Sequence, residues 1–142
     1  MFPALEKRME ESKKDGKVTE LTHESKVWGS EFWFANNKKY CGKVLELKKG
    51  FRCSFHSHKI KEETFIVVQG KVLMENDEKT WVMRPGAVQH IPPGLAHRFT
   101  GFEDSLIIEA STTHYEDDSY RKTKSEEVPE REFKVLIGKY DK

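Results

Sequence analysis

Short apolar runs, each cut off by a turn signal before it can fill a helix, recur through most of this chain. They lie at residues 31–35, 40–47, 54–58, 64–68, 71–75, 80–83, 87–91, 97–100 and 105–111. Between them stand Asn36-Asn37, Lys49-Gly50, Asn76-Asp77 and Arg84-Pro85-Gly86, residue types that reverse the backbone. Many short strands at this spacing predict an all-β antiparallel sandwich or barrel. A length of 142 residues suits one domain, and no internal repeat is visible. The strand pattern places the barrel at 28–120, after a charged N-terminal arm at 1–27 in which 4–14 form a helical turn or two. Residues 121–142 form a polar tail whose apolar stretch at 133–140 is a candidate last strand, closing the barrel or pairing with another protomer.

Two of the runs carry metal-binding chemistry. His56 and His58 are two residues apart, so on a strand both imidazoles project from one face. Glu63 opens the next run after a short turn, and His97 opens another after Pro92 and Gly94. Three neutral imidazoles and one carboxylate suit a single divalent first-row ion (Mn, Zn, Ni or Fe) and leave a coordination position open.

Charge and composition narrow the setting. The 25 basic and 24 acidic residues are interspersed, for a formal charge of +1. That balance gives no electrostatic footprint for nucleic acid or a membrane surface. The start MFPALEKRMEESKKDGK has charges where a signal peptide needs an apolar core, and no run approaches a membrane span, so the expected compartment is cytoplasmic. Cys41 and Cys53 have no zinc-ligand spacing and read as buried thiols.

The two histidine-bearing segments also resemble a known family. Gly50, His56, His58, Glu63 and Gly70, then Gly86, Pro92, Gly94 and His97, match the two signature motifs of the cupin superfamily, with Gly101 where the family pattern has Asn. The resemblance implies a double-stranded β-helix, a jelly-roll barrel holding the metal on His56, His58, Glu63 and His97. A narrower likeness, from Trp28 to Arg121, is to the C-terminal cupin domain of type II mannose-6-phosphate isomerases. It rests on Trp28-Gly29, Lys43, Lys61, Glu63 to Gly70, Ile91, Pro92, Gly94, His97, Arg98, Ile107, Ile108, Glu109, Asp117, Asp118 and Arg121. Those enzymes carry Gln in place of His56 and have two more residues before Asp117. The nucleotidyltransferase domain that often precedes their cupin has no counterpart in these residues.

Outside the ligand set, alternation in Cys41, Lys43, Leu45 and Leu47 turns Lys43 into the barrel interior. There it either stabilises a substrate anion, such as a phosphate or an enediolate, or forms an ion pair with Glu31 or Glu109. Glu109 shares a strand face with Ile107 and Ser111, where apolar surroundings would raise its basicity for removing a proton beside a carbonyl; Glu31 is the alternative base. Arg98 points to the opposite face from His97 as a surface or interface cation, His90 reads as solvated, and Tyr40, Trp33 and Phe65 as core or pocket lining. The expected function is metal-dependent aldose–ketose isomerisation or epimerisation of a carbohydrate or sugar phosphate, by a homodimer. A non-haem iron dioxygenase or lyase and a noncatalytic sugar-binding sensor are the alternatives.

Overall fold

Alternation along residues 41–47 decides how the first sheet faces the interior. Cys41, Lys43, Leu45 and Leu47 all turn inward and are buried, in the strand β3 (Cys41–Leu47) at the middle of a six-stranded antiparallel sheet. The computed structural model describes residues 2–16 and 21–142. In chain order its elements are α1 (Pro3–Lys14), β1 (Thr22–Lys26), β2 (Gly29–Asn36), β3, β4 (Phe51–Arg52), β5 (His56–Ser57) and β6 (Glu63–Gln69). There follow β7 (Val72–Asn76), β8 (Thr80–Met83), β9 (Val88–Ile91), β10 (His97–Gly101), β11 (Ser105–Ser111), β12 (Tyr120–Arg121), β13 (Glu126–Glu127) and α2 (Glu130–Tyr140).

One sheet runs β1-β2-β3-β11-β6-β9 and the other β12-β5-β10-β4-β13, with β7 on the free side of β10 and β8 beyond it. Their inner faces enclose Trp28, Leu45, Leu47, Phe65, Val67, Met74, Met83, Ile91, Phe99 and Ile107. This is an all-β barrel, as the strand pattern predicts, in the jelly-roll form that the family resemblance implies. The core fills one part of it, and polar residues line the remainder.

Two turns explain glycines of the motifs. Gly70 has φ +94° and a Cβ there would meet Ser105 and the Asp104 carbonyl, so only glycine fits between β6 and β7. Gly101 stands 2.5 Å, by its would-be Cβ, from the Lys48 carbonyl oxygen. The backbone of the neighbouring segment therefore occupies the space that the family's Asn would need.

The ends differ from the sequence expectation. Residues 133–140 are helix, not a last strand: Phe133, Leu136, Ile137 and Tyr140 are the half-buried positions, an i, i+3, i+4, i+7 stripe. Pro129 precedes the first turn, Glu130 and Glu132 lie in it and Lys139 in the last turn, all favourable to the helix dipole. Phe133 packs edge-on against Phe102, and Asp141 ties the helix end to Lys71 and Arg84 at 3.1 Å each. This segment therefore offers no strand edge for a second protomer. The polar connection before it is also partly built in, because β13 pairs with β4 and Val128 is buried. At the other end α1 is three turns long, and the first sheet starts at Thr22, within the stretch read as an arm. Residues 17–20 of that arm lie outside the described residues. No described helix is long and apolar enough to cross a membrane.

Candidate metal centre

The three histidines arrive from two strands that face each other. His97 of β10 is the cross-strand partner of His56 of β5, and His58 lies just past β5, where its carbonyl accepts the Gly94 N–H at 2.6 Å. The Pro-x-Gly turn is thereby tied to the His-x-His segment. The ligand atoms of His56, His58 and His97 all lie within 4.8 Å of one another. Glu63, at the start of β6 in the opposite sheet, brings its Oε2 to 3.1 Å from His97 Nε2 and 3.4 Å from His58 Nε2. All four sequence-derived ligand positions thus converge.

The hydrogen bonds on the far side of each ring decide which nitrogen is free. His56 Nδ1 lies 2.7 Å from the Ser54 carbonyl oxygen, His58 Nδ1 2.9 Å from that of Asp118, and His97 Nδ1 3.1 Å from that of Leu95. A carbonyl only accepts, so each Nδ1 carries the proton and each neutral ring turns an Nε2 lone pair inward. Glu63 Oε2 and His97 Nε2 are buried without a hydrogen-bond partner. Lone pairs of imidazole nitrogens and a carboxylate oxygen facing one another need a cation between them. The donor set fits a divalent first-row ion, with backbone carbonyls fixing the ring tautomers as in known metal sites. Burial, followed by the nearby His97, lowers His56 to about 3, so this ring stays neutral and able to bind metal well into the acid range.

Two buried ion pairs form the rest of the pocket. Lys43 Nζ lies 3.5 Å from Glu31 Oε1 and 4.2 Å from the centre of the Trp33 ring, with His114 Nδ1 3.3 Å away. Lys61 Nζ bridges Glu63 Oε1 at 3.2 Å and Glu109 Oε2 at 3.3 Å, and Ser111 donates to the same Glu109 oxygen. Of the two readings for Lys43, the ion-pair partner is Glu31, whereas Glu109 pairs with Lys61. Glu31, the alternative base, is not made more basic by its surroundings. Burial pushes it up, but the ammonium groups of Lys43 and Lys26 outweigh that and hold it below the ordinary range. Burial likewise opposes ionisation of Glu63 and of Lys61. The Lys61 ammonium helps to hold Glu63 well below the usual carboxylate value, while Glu109 and Glu63 raise Lys61.

Lys43, Glu31, Lys61, Glu109, His114 and the histidine cluster all line one cavity of about 120 Å3. Trp33 lines it too, and Phe65 serves both pocket and core. Tyr40, by contrast, is exposed. Arg98 pairs with Glu75 at 2.8 Å on the face away from the cavity, and His90 is exposed beside Glu62. Cys41 and Cys53 are free and buried, and burial pushes the Cys53 thiol up to about 12.

Sequence reasoning gave no role to Lys61, His114 or Asp118. Lys61 has the parity of Glu63 and Phe65, a signal that it faces the same interior. His114 and Asp118 sit in an irregular connection, where no periodicity tells direction.

The chain's likeness to known proteins agrees with this geometry. Residues 43–109 match the family model described as Cupin domain. Over those residues the chain is similar to a cupin domain. Its fold is similar to an RmlC-like cupin from Shewanella frigidimarina, with TM-score 0.63 and 20% identity over 72% of this chain and 90% of that one. CapF, the capsular polysaccharide assembling protein of Staphylococcus aureus, matches with TM-score 0.63 and 22% identity over 72% of this chain, which spans 34% of CapF. Pac13 of Streptomyces, described as a nucleoside dehydratase, matches with TM-score 0.66 and 12% identity over 81% of this chain and 92% of that one. No curated protein matches the chain.

Proposed function

We propose that this cupin-like domain is a metal-dependent enzyme that moves a proton between adjacent carbons of a carbohydrate or sugar phosphate, in an aldose–ketose isomerisation or an epimerisation. The observation that carries the reading is a carboxylate, Glu109, linked through Lys61 to the candidate ligand Glu63, so that a base and the histidine cluster border one cavity. His56, His58, Glu63 and His97 would hold the ion, which when bound polarises a carbonyl as a Lewis acid.

Glu109 then removes the proton from the carbon beside the carbonyl and returns it to the neighbouring carbon. Lys61 holds Glu109 in place before and after the step. Lys43, fixed by Glu31 and His114, presents a buried positive charge to the oxyanion or phosphate of the substrate. Glu31 is the alternative base, but its two lysine neighbours favour the ionised form and weaken it as a proton acceptor. The likeness to the C-terminal domain of type II mannose-6-phosphate isomerases supports isomerisation, and the fold shared with CapF, a polysaccharide assembling protein, accords with a carbohydrate substrate.

A second reading, dehydration, shares the first proton abstraction and differs in that a β-hydroxyl then leaves as water. The fold similarity to Pac13, a nucleoside dehydratase, favours this reading over oxygen chemistry. Both readings are tested by two variants. His58→Ala should lose bound metal and turnover together, with turnover falling to background. Glu109→Gln should retain metal and lose at least about 100-fold in turnover, the usual contribution of a general base. Metal analysis and product assays on each variant check this, and turnover retained by either one refutes its assigned role.

A further inference from the structure

Between β11 and β12 the chain forms a strap, residues 112–119, that brings His114, Glu116 and Ser119 to the cavity. Its first half is tied down by the Thr112 N–H to the Glu62 carbonyl at 3.0 Å, the Thr113 hydroxyl to the Asn37 carbonyl at 2.6 Å and the His114 N–H to Asn36 Oδ1 at 3.0 Å. Its far end is held differently. The buried carboxylate of Asp118 accepts three successive backbone N–H groups of the loop between the ligands His58 and Glu63. Oδ1 takes Lys59 at 2.9 Å and Ile60 at 3.2 Å, and Oδ2 takes Ile60 at 3.2 Å and Lys61 at 2.9 Å. The carbonyl of the same residue accepts the His58 Nδ1–H at 2.9 Å.

We propose that Asp118 is the positioning residue of the metal centre, a deduction that rests on the metal-binding reading above. Its carboxylate fixes the backbone on which Lys61 stands and, by doing so, seats its own carbonyl where it selects the tautomer of His58. One side chain thereby sets both a candidate ligand and the lysine that links Glu63 to Glu109. No other residue is hydrogen-bonded to the loop and to a ligand ring at once among the described residues. The strap meets the ligand loop at both ends, through Thr112 at Glu62 and through Asp118 near His58, so seating of the strap and metal affinity are coupled, and metal binding should order the strap by the same factor.

Asp118→Ala removes the carboxylate but keeps the carbonyl, which makes it informative. The histidine side-chain nitrogen spectrum of the metal-free protein should show the His58 resonances moving toward mixed tautomers while those of His56 and His97 stay. The amides of 59–61 should lose hydrogen-exchange protection, with the circular dichroism unchanged. Zinc titrated calorimetrically should bind about 10–100-fold more weakly, the usual effect of losing a partner that orients a metal-binding histidine. Asp118→Asn, whose single amide oxygen can still accept from part of the loop, should fall between. Wild-type His58 resonances and unchanged protection of 59–61 in Asp118→Ala would overturn the proposal. Should the wild-type protein bind no zinc, manganese, nickel or ferrous iron, the metal reading fails, while the metal-free spectra still decide the role of Asp118. A protein that unfolds on losing the carboxylate is separated by Asp118→Asn, whose spectra must then show the His58 change.

Discussion

The buried lysines of the pocket are each paired with a carboxylate, and these pairings determine which groups can act. Lys43, buried to 1% exposure, would be costly alone; Glu31, the face of Trp33 and His114 Nδ1 compensate it. An ammonium can only donate to His114 Nδ1, so His114 is neutral and carries its proton on Nε2, 3.2 Å from Glu116. Burial, then Lys43 and Lys61, lowers His114 to about 4 from the ordinary 6.5. Between those values the unfolded chain takes up a proton that the folded protein refuses, so stability falls as pH drops through the window. One such group contributes a slope of at most about 1.4 kcal/mol per pH unit. His114→Gln, which keeps an acceptor for Lys43, should flatten urea-unfolding stability against pH between 6.5 and about 4 by up to that slope. An unchanged slope would show that the ring titrates normally. Lys43 was legible from parity alone, but its partner was not. Both Glu31 and Glu109 face inward, and which one it meets depends on how three strands register, Trp33 against Lys43 and Lys43 against Glu109.

At the scale of elements, the interior strands follow their alternation, and elements whose partners lie far along the chain do not. β3, β6, β10 and β11 carry Lys43, Glu63, His97 and Glu109 on their inward faces, so the candidate site was readable from the same pattern as the fold. The stretch 133–140 defeated that reading, because its apolar residues satisfy both a short run and a helical stripe, and docking on Phe102 favours the helix. The N-terminal helix poses a different case. Glu46 lies on the outer face of β3 under α1, its Oε2 accepting the Phe2 N–H at 3.0 Å. Burial, and then the neighbouring Glu6 carboxyl, raise Glu46 to about 7. A carboxyl raised on docking contributes stability that is complete below its ordinary value of 4.5 and lost as pH rises through about 7. Hydrogen exchange in α1 should therefore speed up relative to the barrel between pH 5 and pH 8, after correction for intrinsic rates, and Glu46→Gln should abolish that difference. Equal pH dependence in the variant and the wild type would mean that Glu46 does not control the docking.

Across the whole molecule, two antiparallel sheets enclose an apolar core at one part of the barrel and an ionic cavity at another. The division accounts for a chain with 35% charged residues whose interior still packs: several charges are inside, paired around the histidine cluster. The candidate site takes residues from both sheets and from the strap at 112–119, so its assembly depends on the barrel being closed. Fold class and the convergence of the candidate ligand residues were legible because they depend on local alternation and fixed spacing. The strap, Lys61 and the tail were not, since their placement depends on tertiary hydrogen bonds such as those of Asp118.

The most direct measurement is proton NMR in deuterated water on the protein loaded in turn with manganese, zinc, nickel and ferrous iron, with a panel of sugars and sugar phosphates. A metal-dependent proton-transfer enzyme incorporates deuterium at the carbon beside the carbonyl of one substrate class, with no incorporation in metal-free protein or in Glu109→Gln. Absence of exchange with every metal and substrate would contradict proton transfer as the function of this site.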